Sequence, residues 1–395
     1  MTASVLHIQK TTGLAGSERH LLQLLPALAK RGVRVRMCVL AAGSSHHLVA
    51  AMRKHRVEVT SIPAGPDLNP VLLARLIREI RRQPTDLVHT HLIHADLHGQ
   101  LAARALRLPA VSTIHGTHGF YEKEPFRSAA RLAGRLARRT IAISDFAGEF
   151  VERVGIAPTE RIRVIHYGIN GENWDISPDE QRRHRQALGL HPGDIAIGVA
   201  SRLVPEKGHD VAIKAFSSLA LRLPKTRLLI AGAGPLQPEL EALALRICPP
   251  DRVRFLGYVA DMRAFFGACD LVLFPSLPSF GEGFGLAALE AMATGVPVLA
   301  SDAGPLPEVV SDGVSGLVLP PGQPVAWAEA VADLASNPAR RHQLGKQART
   351  HALLRFSVEE MADQTVGVYR EVLGLKIHPG SPSGYEAAEE SEVTA

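Results

Sequence analysis

Residues 274–297 read FPSLPSFGEGFGLAALEAMATGVP, and this stretch decides the fold. An apolar strand over 271–274 runs into a loop with Gly281, Gly283 and Gly285 at alternate positions. An Ala- and Leu-rich segment over 286–294 follows, and its pattern predicts a helix. A strand, a glycine turn and a helix start make a receptor for an anion. Glycines without Cβ atoms let the backbone approach a ligand closely, and the first N–H groups of the helix point outward with the positive end of its dipole. Glu282 sits in the loop and Glu290 eight residues later. Eight helical residues would span ~12 Å at ~1.5 Å each, roughly the length of a sugar diphosphate. Carboxylates at the two ends suit neutral diols, because each accepts two charge-assisted hydrogen bonds, whereas a carboxylate placed on the phosphates would be repelled. A bare pair of glutamates at this spacing is usually two surface acids; the alternating glycines between strand and helix favour a site.

The chain has 395 residues, too many for one ordinary core, and suits two domains of about 150–200 residues. With 46% hydrophobic and 21% charged residues it reads as globular. Cys38, Cys248 and Cys269 are an odd number in apolar surroundings without metal-finger spacing, which points to reduced, buried thiols and a cytoplasmic location. No basic start with a long apolar run and cleavage site opens the chain, and no apolar stretch reaches the ~18 residues of a membrane span, so a membrane is expected to be met only from the side. Charge is uneven. Residues 1–170 hold 24 Lys and Arg against 12 Asp and Glu, net +12, and the remainder holds 20 against 27, net −7, giving the total of +5. A basic first half suits an anionic surface or acceptor. With 5% aromatics and no aromatic stripe among the basic residues, nucleic-acid binding is excluded.

Read in order, residues 5–9 predict a strand, 11–16 a loop containing Gly13 and Gly16, and 18–30 a helix with Ser17 as N-cap and a kink at Pro26. Strand 33–40 completes the first unit of a doubly wound α/β domain, in which ligands bind at the carboxyl ends of the strands. Strands at 57–62, 86–90, 110–114, 140–144 and 163–166 follow. The segment VHTHLIHADLHG places His89, His91, His94 and His98 within ten residues, but no acidic ligand converges with them, so a metal site is not expected. Over 128–139 a helix is predicted with Arg127, Arg131, Arg135 and Arg138 on one face and Leu132 and Leu136 on another. That face reads either as a solvated arginine surface or as one that docks on anionic lipid. A second α/β series starts at 195–200 and continues with SRLVPEKGHD, where Arg202 and Lys207 flank a turn at a strand end. Strands at 227–231 and 253–256 follow, with Gly232 and Gly234 after the first and Tyr258 and Val259 after the second. Strand 296–301, a short segment at 307–310, and helices over 326–335 and 338–373 complete the series.

Glu282 to Glu290 with the intervening GFGLAAL resembles the E-x7-E signature of the glycosyltransferase 4 family, and the likeness runs from residue 5 to about 373. The resemblance implies an α/β protein of the GT-B fold, two doubly wound Rossmann-like domains facing across a cleft. Residues 1–168 would form the acceptor-side domain and 169–356 the nucleotide-sugar domain, with a helix at about 357–374 packing back on the first; the tail 376–395 reads as disordered. It also implies site roles. Gly16 would approach the donor phosphates and acceptor, although Ala15 stands where a second glycine is usual. His115, in STIHGTHGF, would lie beside the reacting sugar, with His118 as runner-up. Arg202 and Lys207, an R-x4-K-G match, would clamp the diphosphate and stabilise it as a leaving group, which removes the need for a metal. Gly234 and Val259 would border the nucleobase, while Gly283, Phe284, Gly285 and Leu286 would hold the diphosphate. Glu290 would bind the ribose and Glu282 the transferred sugar, making Glu282, His115, Lys207 and Arg202 the catalytic set.

The implied reaction is transfer, with retention, of a sugar from a nucleoside diphosphate donor such as a UDP-sugar to an acceptor hydroxyl, with no cofactor. The acceptor would be a glycan or lipid-linked molecule in surface polysaccharide, lipopolysaccharide or glycolipid synthesis, reached at the inner face of a membrane. Two departures are visible: the linker reads Tyr167, Gly168, Ile169, Asn170 where the family shows Asn-Gly-hydrophobic-Asp, and Ala15 replaces a glycine. Glu308 and Gly316 fall in a further family segment. An isomerase of the nucleotide-sugar 2-epimerase type and a non-catalytic nucleotide-sugar binder share the architecture; the complete Glu282, Glu290, Arg202, Lys207 set argues against both.

Overall fold

Short Val-, Ile- and Leu-rich runs alternate with amphipathic segments along the chain, the pattern of parallel strands covered by helices on both faces. The computed structural model describes residues 3–11, 13, 15–41, 46–65, 69–278 and 282–375; Gly281 and the tail 376–395 lie outside the described residues. The first half runs β1 (Ser4–Thr11), α1 (Gly16–Lys30), β2 (Arg34–Ala41), α2 (His46–Lys54), β3 (Glu58–Pro63), α3 (Pro70–Arg81), β4 (Leu87–His91), α4 (Ile93–Ala105), β5 (Ala110–Ile114), α5 (Phe126–Leu136), β6 (Arg139–Ala142), α6 (Asp145–Val154) and β7 (Ile162–Val164). The second runs α7 (Pro178–Ala187), β8 (Ile195–Ala200), α8 (His209–Ala220), β9 (Thr226–Ala231), α9 (Gln237–Ile247), β10 (Val253–Gly257), α10 (Met262–Ala268), β11 (Leu271–Phe274), α11 (Leu286–Ala293), β12 (Val298–Ser301), α12 (Leu306–Val309), β13 (Gly316–Leu319), α13 (Pro324–Ser336), α14 (Pro338–Arg355) and α15 (Val358–Leu373).

The described strands form two parallel sheets, ordered β3-β2-β1-β4-β5-β6-β7 and β10-β9-β8-β11-β12-β13. In each, the order reverses beside the first strand of the series, between β1 and β4 and between β8 and β11. Loops leaving such a reversal diverge and open a crevice at the carboxyl ends of the strands. The two crevices, carrying Ala15 and Gly16 on one side and Ser201, Arg202, Lys207, Glu282 and Gly285 on the other, face each other.

Two crossings join the halves and lie against one another. The Ile169 N–H donates to Phe356 O at 2.7 Å, and a Cβ on Gly168 would come within 2.6 Å of Ser357 O, so this hinge accepts no side chain there. After Ser357 caps α15, Met361, Ala362, Val366 and Tyr369 bury against Leu21, Leu24 and Leu28 of α1 in the first core. The last helix among the described residues is thus part of the first domain's interior.

Several expectations shift. Helix α1 begins at Gly16 with Ala15 as N-cap, and the cap is closed by Glu18, whose carboxylate accepts the Ala15 N–H at 3.0 Å, rather than by Ser17. Pro26 does not interrupt α1. Helix α5 stops at Leu136 because Ala137 is already extended toward β6. Arg138 therefore leaves the helix, and Arg131 is committed to the protein through its Nε bond to Val154 O at 2.9 Å. The expected face of four arginines does not exist as such. Segment 338–373 is two helices broken at Phe356 and Ser357, and β13 is a strand that periodicity did not mark.

Tyr369 is fully buried, and its hydroxyl bonds His89. Tyr369→Ala is expected to cost about 3–5 kcal/mol, as removal of a buried aromatic does, read by urea unfolding; a loss below 1 kcal/mol would mean that α15 contributes little to the first core.

Candidate active site

The crevice between the two switch points is a cavity of about 460 Å³ whose lining includes Gly16 and Arg19 from the first domain and Arg202, Lys207, Val259, Glu282, Gly285, Leu286 and Glu290 from the second. Gly285 is the N-cap of α11 with φ of +94°, a left-handed conformation in which a Cβ would also meet Leu306 at 2.9 Å, so glycine is required. The start of α11 opens on the cavity at Leu286 and Ala287, which supplies the free N–H groups and dipole end that an anion needs.

Charges pair within this crevice. Lys207 Nζ donates to the Glu282 carboxylate. Arg19 Nη1 reaches Glu290 Oε1 at 3.3 Å across the domain boundary. Burial pushes the Glu290 carboxyl up to about 7 despite the opposing charge and hydrogen bond of Arg19. Arg202 is the freer cation, two-thirds exposed, with Glu206 at 3.8 Å. Three expected residues lie elsewhere. Gly234 packs the 232–235 turn on Leu203, whose carbonyl oxygen would stand 2.4 Å from a Cβ. Phe284 is 2% exposed and its ring packs on Tyr167 and Phe356, so only its backbone is available to a ligand. Gly283 permits a close approach of the two domains: a Cβ there would lie 2.5 Å from His115 O.

Both ring nitrogens of His115 are engaged, Nδ1 with the Tyr167 hydroxyl at 2.6 Å and Nε2 with His91 Nδ1 at 2.9 Å. The series continues through His91 to His7 at 3.0 Å, on to the Tyr369 hydroxyl at 3.3 Å, to His89 at 2.7 Å and to Thr113 at 2.7 Å. Burial first, then neighbouring histidines, holds His115, His91 and His89 far below the ordinary imidazole range; His7 lies at about 3. Neutral imidazoles each offer one donor and one acceptor, so the series is satisfied when every N–H points the same way along it. A metal on the clustered His7, His89 and His91 would have to replace these bonds. His118 is placed differently. Its pKa is lowered by burial and then by the charge of Arg202, and its ring stacks on Phe120.

Sequence reasoning missed the contacts that hold the cleft together. Ser144 Oγ donates to Gly283 O at 2.8 Å and Thr117 Oγ1 to Glu282 O at 3.1 Å. The Glu308 carboxylate accepts the first two N–H groups of α6, from Asp145 and Phe146, at 2.7 and 2.8 Å. Burial raises that carboxyl, but His166 and these N–H bonds outweigh it and hold it below the usual range. Arg19 follows Glu18 in the first turn of α1, a position that the glycine loop before it marks, but its partner lies 271 residues away.

The model for glycosyl transferases group 1 matches residues 180–351, and that for glycosyltransferase family 4 matches residues 14–173. The D-inositol 3-phosphate glycosyltransferase of Mycobacterium marinum is 30% identical over 93% of this chain and 83% of its own length. Among solved structures, Anabaena HepE in complex with UDP is 26% identical, covering 93% of this chain and all of that one, with a TM-score of 0.81. The same protein with UDP-glucose superposes equally at 25% identity, covering 93% and 99%.

Because the folded state holds the Glu290 proton more tightly than an unfolded chain does, protonation stabilises the protein as pH falls from about 7 toward the ordinary 4.5, and the buried carboxylate costs stability above 7. Glu290→Gln is accordingly expected to raise unfolding stability at pH 8 by on the order of 2 kcal/mol and to change it little at pH 4.5; a pH-independent difference would contradict that origin.

Proposed function

The chain belongs to the glycosyltransferase 4 family of group 1 glycosyltransferases, and from that premise we propose that it moves a sugar from a UDP-sugar to a hydroxyl of an anionic polyol, with retention and without a metal. The observation that carries the proposal is the pairing of Lys207 with Glu282 and of Arg19 with Glu290 around the start of α11. These are two cation–carboxylate pairs in the lining of one cavity of about 460 Å³. In this reading Glu290 accepts from the ribose hydroxyls and Glu282 from those of the transferred sugar. Arg202, Lys207 and the α11 N–H groups take the diphosphate. The acceptor oxygen bonds to the anomeric carbon as the bond to the phosphate oxygen breaks, and the acceptor proton passes to a phosphate oxygen. Two fixed cations do the charge neutralisation that a divalent ion would do elsewhere.

UDP is supported as the carrier by the UDP and UDP-glucose complexes of the HepE neighbour. A phosphorylated cyclitol as acceptor is supported by the names of relatives that match over most of their length. The net +12 of residues 1–170 favours a second reading, a glycan or lipid-linked acceptor met at an anionic membrane; among the described residues no helix is long and apolar enough to cross one. His115, with both nitrogens bound inside the protein, contributes shape and a fixed backbone rather than proton transfer. His118, the runner-up, is the imidazole this reading leaves for contact with substrate, supported by the influence of the Arg202 charge on it.

Incubation of the protein with UDP-glucose and D-inositol 3-phosphate in EDTA is expected to give an α-linked product by NMR. Lys207→Ala is expected to lower kcat by about 10²–10³-fold, the range seen when one preorganised charge-stabilising donor is removed. Donor conversion that needs no acceptor and gives an isomerised sugar would instead identify an epimerase, and unchanged turnover in Lys207→Ala would remove the clamp.

A further inference from the structure

The first sheet has a second concavity, at the end opposite the cleft. His115 and Ser144, which face the cleft, follow the carboxyl ends of β5 and β6; this recess lies at the amino ends of the same strands, beside Ala110 and Arg139. The five residues of β5 alone put ~17 Å between the two, at ~3.3 Å per residue. It encloses about 800 Å³ and is lined by Arg104, Arg107, Arg135, Arg138, Arg139 and Arg161, with no Asp or Glu in the lining. Arg139 shares the Glu371 carboxylate with Arg163. The other five have no carboxylate partner among the described residues.

Part of this charge has a local account. Helices α4 and α5 both end at the recess, and Arg104 and Arg135 stand in their last turns, where a cation offsets the negative dipole end. Arg161, on the approach to β7, reaches the Arg135 carbonyl at 3.4 Å and so also serves the end of α5. Arg107 and Arg138 have no such account: they come from two separate connections converging on one space. A volume of 800 Å³ is roughly 9–12 Å across, comparable to the Debye length of about 8 Å at physiological salt, so these charges are only partly screened from one another and act together on anything that enters. Guanidinium forks match phosphate oxygens bidentately. No aromatic residue lines the recess, which leaves nothing for a nucleobase to stack on, while Leu108, Leu136 and Leu373 give it apolar walls.

We propose that this recess is a second anion site that binds a multiply charged phosphate group, separate from the cleft and independent of the reaction assigned there. The same chemistry is offered by a free polyphosphate and by the headgroup of an anionic phospholipid.

The test uses the full chain with UDP in excess, so that phosphate sites in the cleft are occupied, and tripolyphosphate as the calorimetric probe. Saturable binding in the wild type, weakened at least tenfold in the Arg107→Glu/Arg138→Glu variant but unchanged in Lys207→Ala, is the expected result. Because the double variant relieves like-charge repulsion, its Tm is expected to be equal to or above the wild type's, and Arg104→Gln/Arg161→Gln provides a milder pair with the same expected direction. A second arm sediments the protein with phosphatidylcholine vesicles with and without phosphatidylglycerol. Sedimentation that needs phosphatidylglycerol, is displaced by tripolyphosphate and is lost in the double variant assigns the site to lipid headgroups; tripolyphosphate binding without sedimentation assigns it to a soluble phosphate. Absence of saturable tripolyphosphate binding, or binding that both arginine pairs leave unchanged, would overturn the proposal.

Discussion

A buried charge must be paired, and in this protein the pairs that matter run between the groups that line the cleft. Lys207 sits on Glu282, and Arg19 crosses from the first domain to Glu290. Glu290 is 5% exposed, and burial pushes its carboxyl up to about 7 against the charge of Arg19. A ligand bringing diols and a diphosphate exchanges one set of charge-assisted bonds for another, without placing a bare ion in a low dielectric. Everything else about the cleft follows from bringing those four side chains to one place.

The fold does so by setting two strand-order reversals face to face and fixing their distance. Gly283 touches the His115 backbone, Ser144 and Thr117 bond the 282–283 backbone, and Glu308 holds the start of α6. On the hinge side, the 165–175 linker and the 356–357 break lie backbone to backbone, and α15 returns to the first core. The neutral imidazole series from His115 to His89 ties the cleft wall, through His7 and Tyr369, to that returning helix. A rearrangement of the hinge therefore meets the same hydrogen-bonded series that shapes the first-domain wall of the cleft.

Much of this was legible in the chain. Local patterns set strand, glycine turn and helix at 271–294, and R-x4-K-G at a strand end, because the physics there is local: a left-handed glycine, free helix N–H groups, a cation beside them. Family likeness then supplied roles for Glu282, Glu290, Arg202 and Lys207, and the cavity gathers all four. Contacts between distant segments left no such trace. His89 and Tyr369 are 280 residues apart, and Arg19 and Glu290 are 271 apart. The histidine-rich segment looked like a question about metal because its partners, His7 and Tyr369, lie on β1 and α15. The arginine face on α5 was misread for a related reason: helical spacing continued on paper past Leu136, while the need to start β6 ended the helix there.

The claim on which the account turns is that Glu290 and the cations opposite it hold a nucleoside diphosphate sugar. Isothermal titration of the folded wild type and Glu290→Ala with UDP-glucose in EDTA at pH 8 tests it most directly. Saturable binding by the wild type, weakened at least tenfold in the variant, is the result expected. Equal affinity in the two proteins, or no binding by the folded wild type to UDP-, GDP- or ADP-linked sugars, would contradict it.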